Sequence, residues 1–377
     1  ESVVGMGPFR LKEYQRGIKV VLERNHHYWK KDRAAQPLPY LDSLVFLIIQ
    51  DRNAEALRFQ GGGLDLVNSL TAENYATVRR FQKQGGYQVQ DLGPGLGMDF
   101  LWFNLNPGLK PSGDPFVAPE KLALFQKAEF RKAVSTALNR EGINRSIMLG
   151  LGEPQYGPIS TGNQAWLSRD LPRSPFQPER ARSLLEGLGL RDRDRDGTYE
   201  FAGSGTPIEI TIATARGNLA REKSAEVIRQ NLAEAGLRVN LQLLLINELA
   251  ARFLSTFDYE AILFGITPTD VVPDLQTDLW LSSGKLHFWY PAQSRPHYPW
   301  ESEMDQMTLR LVRTLDPAER RQISYRIQEL WAREMPAIPT LAPHILTGWK
   351  NSVGNVRPSI LVPHLLWNAE ELTIRSR

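Results

Sequence analysis

Residues 207–245, PIEITIATARGNLAREKSAEVIRQNLAEAGLRVNLQLLL, hold the reading on which the fold turns. Residues 207–213 alternate apolar and polar side chains, the period of a strand. Asn218 is suited to cap a helix, and Ile228 and Leu232 lie one turn apart on its inner face until Gly236 stops it. Leu237, Val239, Leu241, Leu243 and Leu245 then alternate again and predict a half-buried strand. Strand, helix and strand at this spacing build a sheet with helices laid across it, so the chain reads as α/β.

The same punctuation extends in both directions. A further strand is expected at 259–264. Asp316-Pro317-Ala318-Glu319 opens a helix: the aspartate caps, the proline fits the first turn and the glutamate is placed to reach back to the cap amide. Ile323, Ile327, Leu330 and Trp331 form its buried face, and Pro336 stops it. Upstream, Pro178 opens a helix with Ala181, Leu184, Leu185 and Leu188 inward and Gly189 as its end. Phe125, Ala128, Phe130, Ala133, Val134, Ala137 and Leu138 mark another amphipathic helix. The first third reads as strands at 18–22, 44–49 and 64–67, with helices at 53–60 and from Thr71. The run at 44–49 is nearly continuous in apolar residues and is expected to be buried on both faces.

A chain of 377 residues exceeds one ordinary core and predicts two or more lobes. Its 42% hydrophobic and 23% charged residues are the balance of a globular protein. No apolar run approaches the roughly 18 residues needed to span a bilayer. The net charge of +3 is spread among alternating acids and bases, with no basic stripe to track phosphates, so nucleic acid is not an expected partner. Cysteine is absent, which excludes thiolate metal sites, cysteine nucleophiles and disulfides.

Few motifs carry chemistry. Asp192, Asp194 and Asp196 followed by Gly197 resemble the first half of a calcium loop, with oxygens at alternating positions and a glycine at the turn. The twelfth position is Gly203, so the bidentate glutamate is missing, and a solvated turn is the alternative. No two of the six histidines make a metal pair at helical spacing, and HExxH and GxSxG are absent. Gly93-Pro94-Gly95-Leu96-Gly97 leads into strand-like residues 100–104 rather than a helix, so it reads as a hinge or tight crossing and not a phosphate cradle. The stretch His287, Phe288, Trp289, Tyr290, Pro291 to Pro296, His297, Tyr298, Pro299, Trp300 offers rigid aromatic faces. Such faces either contact a polar ligand or pin the loop to the core.

Several segments together resemble the extracellular solute-binding proteins that include dipeptide-, oligopeptide- and nickel-binding receptors. Gly5-Met6-Gly7-Pro8-Phe9-Arg10-Leu11 is similar to that family's GTGPYRL turn, and Glu23-Arg24-Asn25 with Tyr28-Trp29 to its ERNxxYW. Pro39-Tyr40-Leu41-Asp42, Gly62-Gly63-Leu64-Asp65-Leu66 and Phe103-Asn104-Leu105-Asn106 follow in order. Phe130-Arg131-Lys132-Ala133-Val134 to Ala137-Leu138-Asn139-Arg140 resembles VRxAxxxAxDR, and residues 316–321 with Pro336-Ala337-Ile338-Pro339 resemble the family's ending. The match begins in the interior of the family's pattern, which implies that a signal peptide and one subdomain precede it.

The resemblance implies a two-lobed fold of the type II periplasmic-binding-protein kind, mixed sheets flanked by helices, with the first lobe incomplete. Residues 1–98, rejoined by 344–377, would be the remainder of that lobe, and 99–343 the second. It implies a receptor that binds a peptide-like or other small polar solute in the cleft between lobes and delivers it to an ABC permease. It implies a monomer outside the cytoplasm, periplasmic or extracellular and attached to the cell envelope, with no enzymatic activity and no cofactor. Peptide receptors of the family carry a tryptophan after the strand at 257–264, and three residues later an aspartate for the peptide's amino group. Here Ile266 and Thr269 stand at those places, and Asp270 lies one step on. The expected ligand contacts are Gly265, Ile266, Thr267, Thr269, Asp270, Trp280, Trp289, Trp102 and Tyr156. The readings from other classes are an extracytoplasmic hydrolase acting on peptide or cell-wall material and a purely structural fragment.

Overall fold

A computed structural model describes residues 5–375, apart from the side chains of Asp274 and Leu275. The chain divides into two compact units, Glu1–Gly93 with His344–Arg377, and Pro94–Pro343. It is α/β throughout, and no helix among the described residues is long and apolar enough to cross a membrane.

The unit Pro94–Pro343 is built on a five-stranded mixed sheet. Its order is Ala337–Pro339, Met98–Phe103, Ala261–Ile266, Glu209–Ala215, Arg238–Leu244. Glu209–Ala215 runs parallel to both of its neighbours, in register from Glu209 opposite Arg238 to Ala215 opposite Leu244 on one side. Met98–Phe103 runs antiparallel to Ala261–Ile266 and to Ala337–Pro339. The strand–helix–strand of residues 207–245 is therefore present, joined by helix Leu219–Glu234. Asn218 caps that helix, its side chain accepting from the Arg221 amide at 3.1 Å, and Gly236 leaves it at φ 89°. In the outer strand the alternation loses phase. Val239 and Leu244 are buried, but Leu243 is 37% and Leu245 68% exposed, because an edge strand has one neighbour and the chain turns into helix Ile246–Ala251.

Met98–Phe103 is buried along its whole length and organises the core, as a strand flanked on both sides by others must. Phe130, Ala133, Val134 and Ala137 of helix Ala128–Ala137 pack into the same core. The single helix expected over 125–138 is two, Pro119–Phe125 and Ala128–Ala137. Buried Arg131 explains the break: its guanidinium donates to the Phe125, Glu334 and Met335 carbonyls, satisfying orphan acceptors at two helix ends. Helix Pro317–Glu334 begins where predicted, Asp316 accepting from the Glu319 amide at 2.7 Å. The second half of the expected capping box is not made, since the Glu319 carboxylate pairs with Arg310 at 2.6 Å.

The other unit holds a three-stranded antiparallel sheet, Phe9–Gln15, Lys19–Arg24 and Ser43–Leu47. The expectation that residues 44–49 are buried on both faces is overturned: Val45 is 55% and Phe46 40% exposed. Ser43–Leu47 is an edge strand, and an apolar run there records side chains pointing both ways rather than two covered faces. Helices Arg52–Gln60 and Ala72–Arg80 form as read, capped by Asp51 and Thr71. They bury Phe59 and Val78 with Tyr87 and Val67 beside the strands Leu66–Val67, Leu341–Lys350 and Tyr87–Pro94.

Candidate functional site

In open α/β sheets the place for a ligand is outside the carboxyl ends of the parallel strands, where the loops from neighbouring strands part. Here that place follows Ala215 and Ile266. After Glu209–Ala215 the chain passes to Arg238–Leu244 on one side, and it returns to Ala261–Ile266 on the other. Because Met98–Phe103 is antiparallel, its first residues meet the same edge: Asp99 stands opposite Gly265, and Met98 opposite Ile266.

An ion pair occupies this edge. Arg221, three residues past the cap Asn218, donates from Nη2 at 2.8 Å and Nε at 3.1 Å to Oδ1 of Asp99. The two side chains are 12% and 11% exposed. The guanidinium lies 4.7 Å from the Phe264 ring centroid, and the Asp99 carbonyl accepts from the Thr340 amide and hydroxyl. Gly265 leaves the space the pair needs, since a Cβ there would stand 2.3 Å from Arg221 Nη2 and 2.5 Å from Asp99 Oδ1. Gly97 does the same for Thr267, whose Oγ1 would lie 2.4 Å from an added Cβ. The loop at 160–163 lies against the same edge. Ser160 donates its hydroxyl to the Gly95 carbonyl, and Asn163 donates from Nδ2 to the Val271 carbonyl at 2.6 Å. Asn163 is buried, and its Oδ1 has no hydrogen-bond partner among the described residues.

Of the residues expected to touch ligand, Gly265, Ile266, Thr267, Thr269 and Asp270 sit together here, with Thr267 and Thr269 exposed. The Asp270 carboxylate is half-buried and accepts from the Val272 amide at 3.2 Å. The expected tryptophans are a correction. Trp102, Trp280 and Trp289 are buried in the hydrophobic core. Trp102 stacks on Phe288 at 4.9 Å, and Trp280 and Trp289 both pack edge-on against Trp331. Their polar ends face inward too, Trp280 Nε1 donating to the Pro273 carbonyl and Trp289 Nε1 to Glu301. Large rings beside a sheet contribute most by leaving water, and these offer no face to a ligand. Tyr156 is half-buried with the guanidinia of Arg140 and Arg173 at 5.1 and 6.0 Å from its ring. Asp274, which fits the resemblance, has its side chain outside the described residues.

The aromatic loop pins itself to the core through one buried carboxylate. Glu301 accepts from Trp289 Nε1 at 2.8 Å and Gln293 Nε2 at 2.9 Å, and from the Tyr298 and His297 amides at 2.9 and 3.0 Å. Nε2 of His287 faces it at 3.2 Å. Burial pushes the Glu301 carboxyl up, but the hydrogen bonds from His287 and the Tyr298 amide outweigh burial and hold it below its ordinary range.

The carboxylates of Asp192, Asp194 and Asp196 gather with one oxygen each within 4.8 Å of the others. Each also accepts from a backbone amide of its own turn, at Gly197, Asp196 and Thr198 in that order, and Arg238 pairs with Asp196 at 3.1 Å. Two cavities lie elsewhere. One of about 570 Å³, between residues 30–40 and 355–371, has carboxylates already paired with Tyr40, Lys30 and Arg357. The other, about 330 Å³, is lined by Lys110, Thr211, Arg252 and Asp258, toward the strands' amino ends. None of the expected contacts lines either cavity.

Asp99, Arg221, Gly97 and Asn163 escaped the sequence reading, yet two left signals. An arginine in the first turn of a helix stands at the positive end of the dipole, where a cation is unfavourable unless paired. A single acid in the otherwise apolar MDFLWF of residues 98–103 needs a partner as well.

Residues 1–288 match the sequence model of the "Bacterial extracellular solute-binding proteins, family 5 Middle". A probable ABC transporter-binding protein of Deinococcus radiodurans is 26% identical over 369 residues, covering 94% of this chain and 60% of that protein. The oligopeptide-binding protein AppA of Bacillus subtilis is 28% identical over 293 residues, 76% of this chain and 48% of its own. The chain thus spans about half to three-fifths of the length of these curated relatives. Among solved structures, AppA from Bacillus subtilis in complex with a nonapeptide superposes at a TM-score of 0.76 with 23% identity, over 98% of this chain and 66% of that one. The periplasmic binding protein MelB of Agrobacterium fabrum, in complex with stachyose, superposes at 0.81 with 22% identity, over 98% and 57%.

Proposed function

The chain belongs to the bacterial extracellular solute-binding proteins of family 5 and has the type II periplasmic-binding-protein fold, and from that premise we propose that it is part of the substrate-binding component of an ABC importer. Its role is to hold a small polar solute outside the cytoplasm and present it to a membrane permease, leaving the solute's bonds intact. The observation that carries this reading is the family match over residues 1–288, which includes the whole carboxyl edge from Asp99 to Asp270.

We assign solute contact to Gly265, Thr267, Thr269 and Asp270, with Asp99 and Arg221 beside them. The edge supplies hydroxyls, a carboxylate and backbone groups around a fixed ion pair, which suits hydrogen-bonded capture. No nucleophile with a general base is gathered there among the described residues, so a hydrolase has no geometric support. Native mass spectrometry of the natural full-length protein, purified without refolding, tests the proposal. A small molecule released intact on denaturation is expected; steady turnover of a peptide or glycan library would refute it.

A further inference from the structure

We infer that His287 is a proton-operated latch: only as an imidazolium does it bind Leu279 and Glu301 together and so hold the aromatic loop of residues 284–298 on the central sheet. The latch uses none of the residues assigned to solute contact.

His287 is fully buried. Its Nδ1 stands 3.0 Å from the Leu279 carbonyl and its Nε2 3.2 Å from Oε1 of Glu301. Both neighbours accept. One is a carbonyl of the short helix Thr277–Trp280, and the other is a carboxylate that already takes bonds from Trp289, Gln293 and the His297 and Tyr298 amides. Those donors keep Glu301 ionised despite its burial. A neutral imidazole has one N–H and one lone pair. Whichever nitrogen keeps the proton, the other turns its lone pair on a buried oxygen that no water can satisfy. Turning the ring over places carbon at both positions and loses both bonds. The imidazolium makes both, and its charge offsets that of the carboxylate buried with it.

The two bonds span the loop. Leu279 lies in the helix before it and Glu301 in helix Pro299–Arg313 after it. Next to His287, Phe288 stacks on Trp102 at 4.9 Å, and its carbonyl accepts from the Tyr259 hydroxyl at 3.1 Å. The Trp289 carbonyl accepts from the Leu105 amide at 2.8 Å. The loop is thereby seated on strand Met98–Phe103 and the residues just beyond it, and losing a bond at His287 loosens that seat.

The other titratable groups around the pair are occupied or neutral. Burial holds the Tyr290 and Tyr298 phenols above their ordinary range. Asp278 accepts from the Lys285 amide, and Asp305 from Ser282. Arg131 donates to three carbonyls, and helix Pro317–Glu334 meets Trp289 with Trp331. His297 is exposed and gives Glu301 only its backbone amide.

The imidazolium makes one bond more than the neutral ring, so this contribution is complete while the ring is protonated and is lost as pH rises. Two measurements on the natural full-length protein test it. Nitrogen NMR of labelled histidine should show both ring nitrogens of His287 protonated at about pH 5.5. Between about pH 5.5 and 8.5, Tm should fall by at least about 2 °C more in the natural protein than in His287→Gln. Near-ultraviolet circular dichroism from the Trp102, Trp289 and Trp331 cluster should weaken over the same range, and His297→Gln should keep the natural slope. A His287 ring with a single proton at the acid end, or equal slopes in the natural protein and His287→Gln, overturns the inference. If His287→Gln does not fold, the ring spectrum of the natural protein decides.

Discussion

Gly265→Ala is the substitution whose outcome follows most directly from the coordinates. The new methyl would lie 2.3 Å from Arg221 Nη2 and 2.5 Å from Asp99 Oδ1, more than about 1 Å inside comfortable contact. The strand is paired there with Met98–Phe103, Gly265 opposite Asp99, so the flexible guanidinium yields first. Moving it by about that distance removes the bonds at 2.8 and 3.1 Å to the Asp99 carboxylate. A hydrogen bond to a charged group contributes about 1.5–3 kcal/mol. Both bonds end on one oxygen, and water reaches the edge, so the expected loss is about 2 kcal/mol. For a unit of this size that lowers Tm by roughly 4–8 °C. Thermal unfolding followed by circular dichroism measures it, in the natural background and in Arg221→Ala. With the guanidinium already gone, the Asp99 carboxylate is released to turn away from the methyl, and Gly265→Ala should cost less than about 0.5 kcal/mol, giving a coupling of about 1.5 kcal/mol. An equal loss in the two backgrounds would refute the claim that glycine is required there for the ion pair.

Glu301→Gln should destabilise the protein by about 3–5 kcal/mol, because an amide nitrogen would replace one oxygen of a buried carboxylate surrounded by donors; chemical denaturation measures this. The sign of the pH dependence follows from the lowered folded-state pKa of Glu301. Its contribution is complete above the ordinary 4.5 of the unfolded chain and is lost as pH falls through the lower folded value. Tm measured downward from pH 6 should therefore fall more steeply for the natural protein than for Glu301→Gln. Asp316→Ala, which removes the cap bond to the Glu319 amide, should cost about 1 kcal/mol in denaturant unfolding. Glu319→Gln should change stability by less than about 0.5 kcal/mol, since its carboxylate makes an exposed pair with Arg310 rather than closing the capping box.

Local rules read much of this protein. The caps at Thr71, Asn218 and Asp316 are single side chains acting within their own turn, so a short stretch of sequence contains all the atoms involved. The βαβ of residues 207–245 was legible for the same reason. The aromatic loop was legible as a feature but not in its role. Whether Trp289 faces solvent or core depends on Glu301, twelve residues on, and on Trp331, beyond another helix. The run at 44–49 misled because apolar content reports a strand's side chains and not whether anything covers them.

Residues near in the chain thus determined the element types, the helix starts, the α/β class and the family resemblance. The tertiary structure alone decided that Asp99 meets Arg221, 122 positions away, over a glycine of a third element. Such a pair belongs to no local pattern: its energy appears only once the sheet's strand order brings three segments to one edge and excludes most of the water between them.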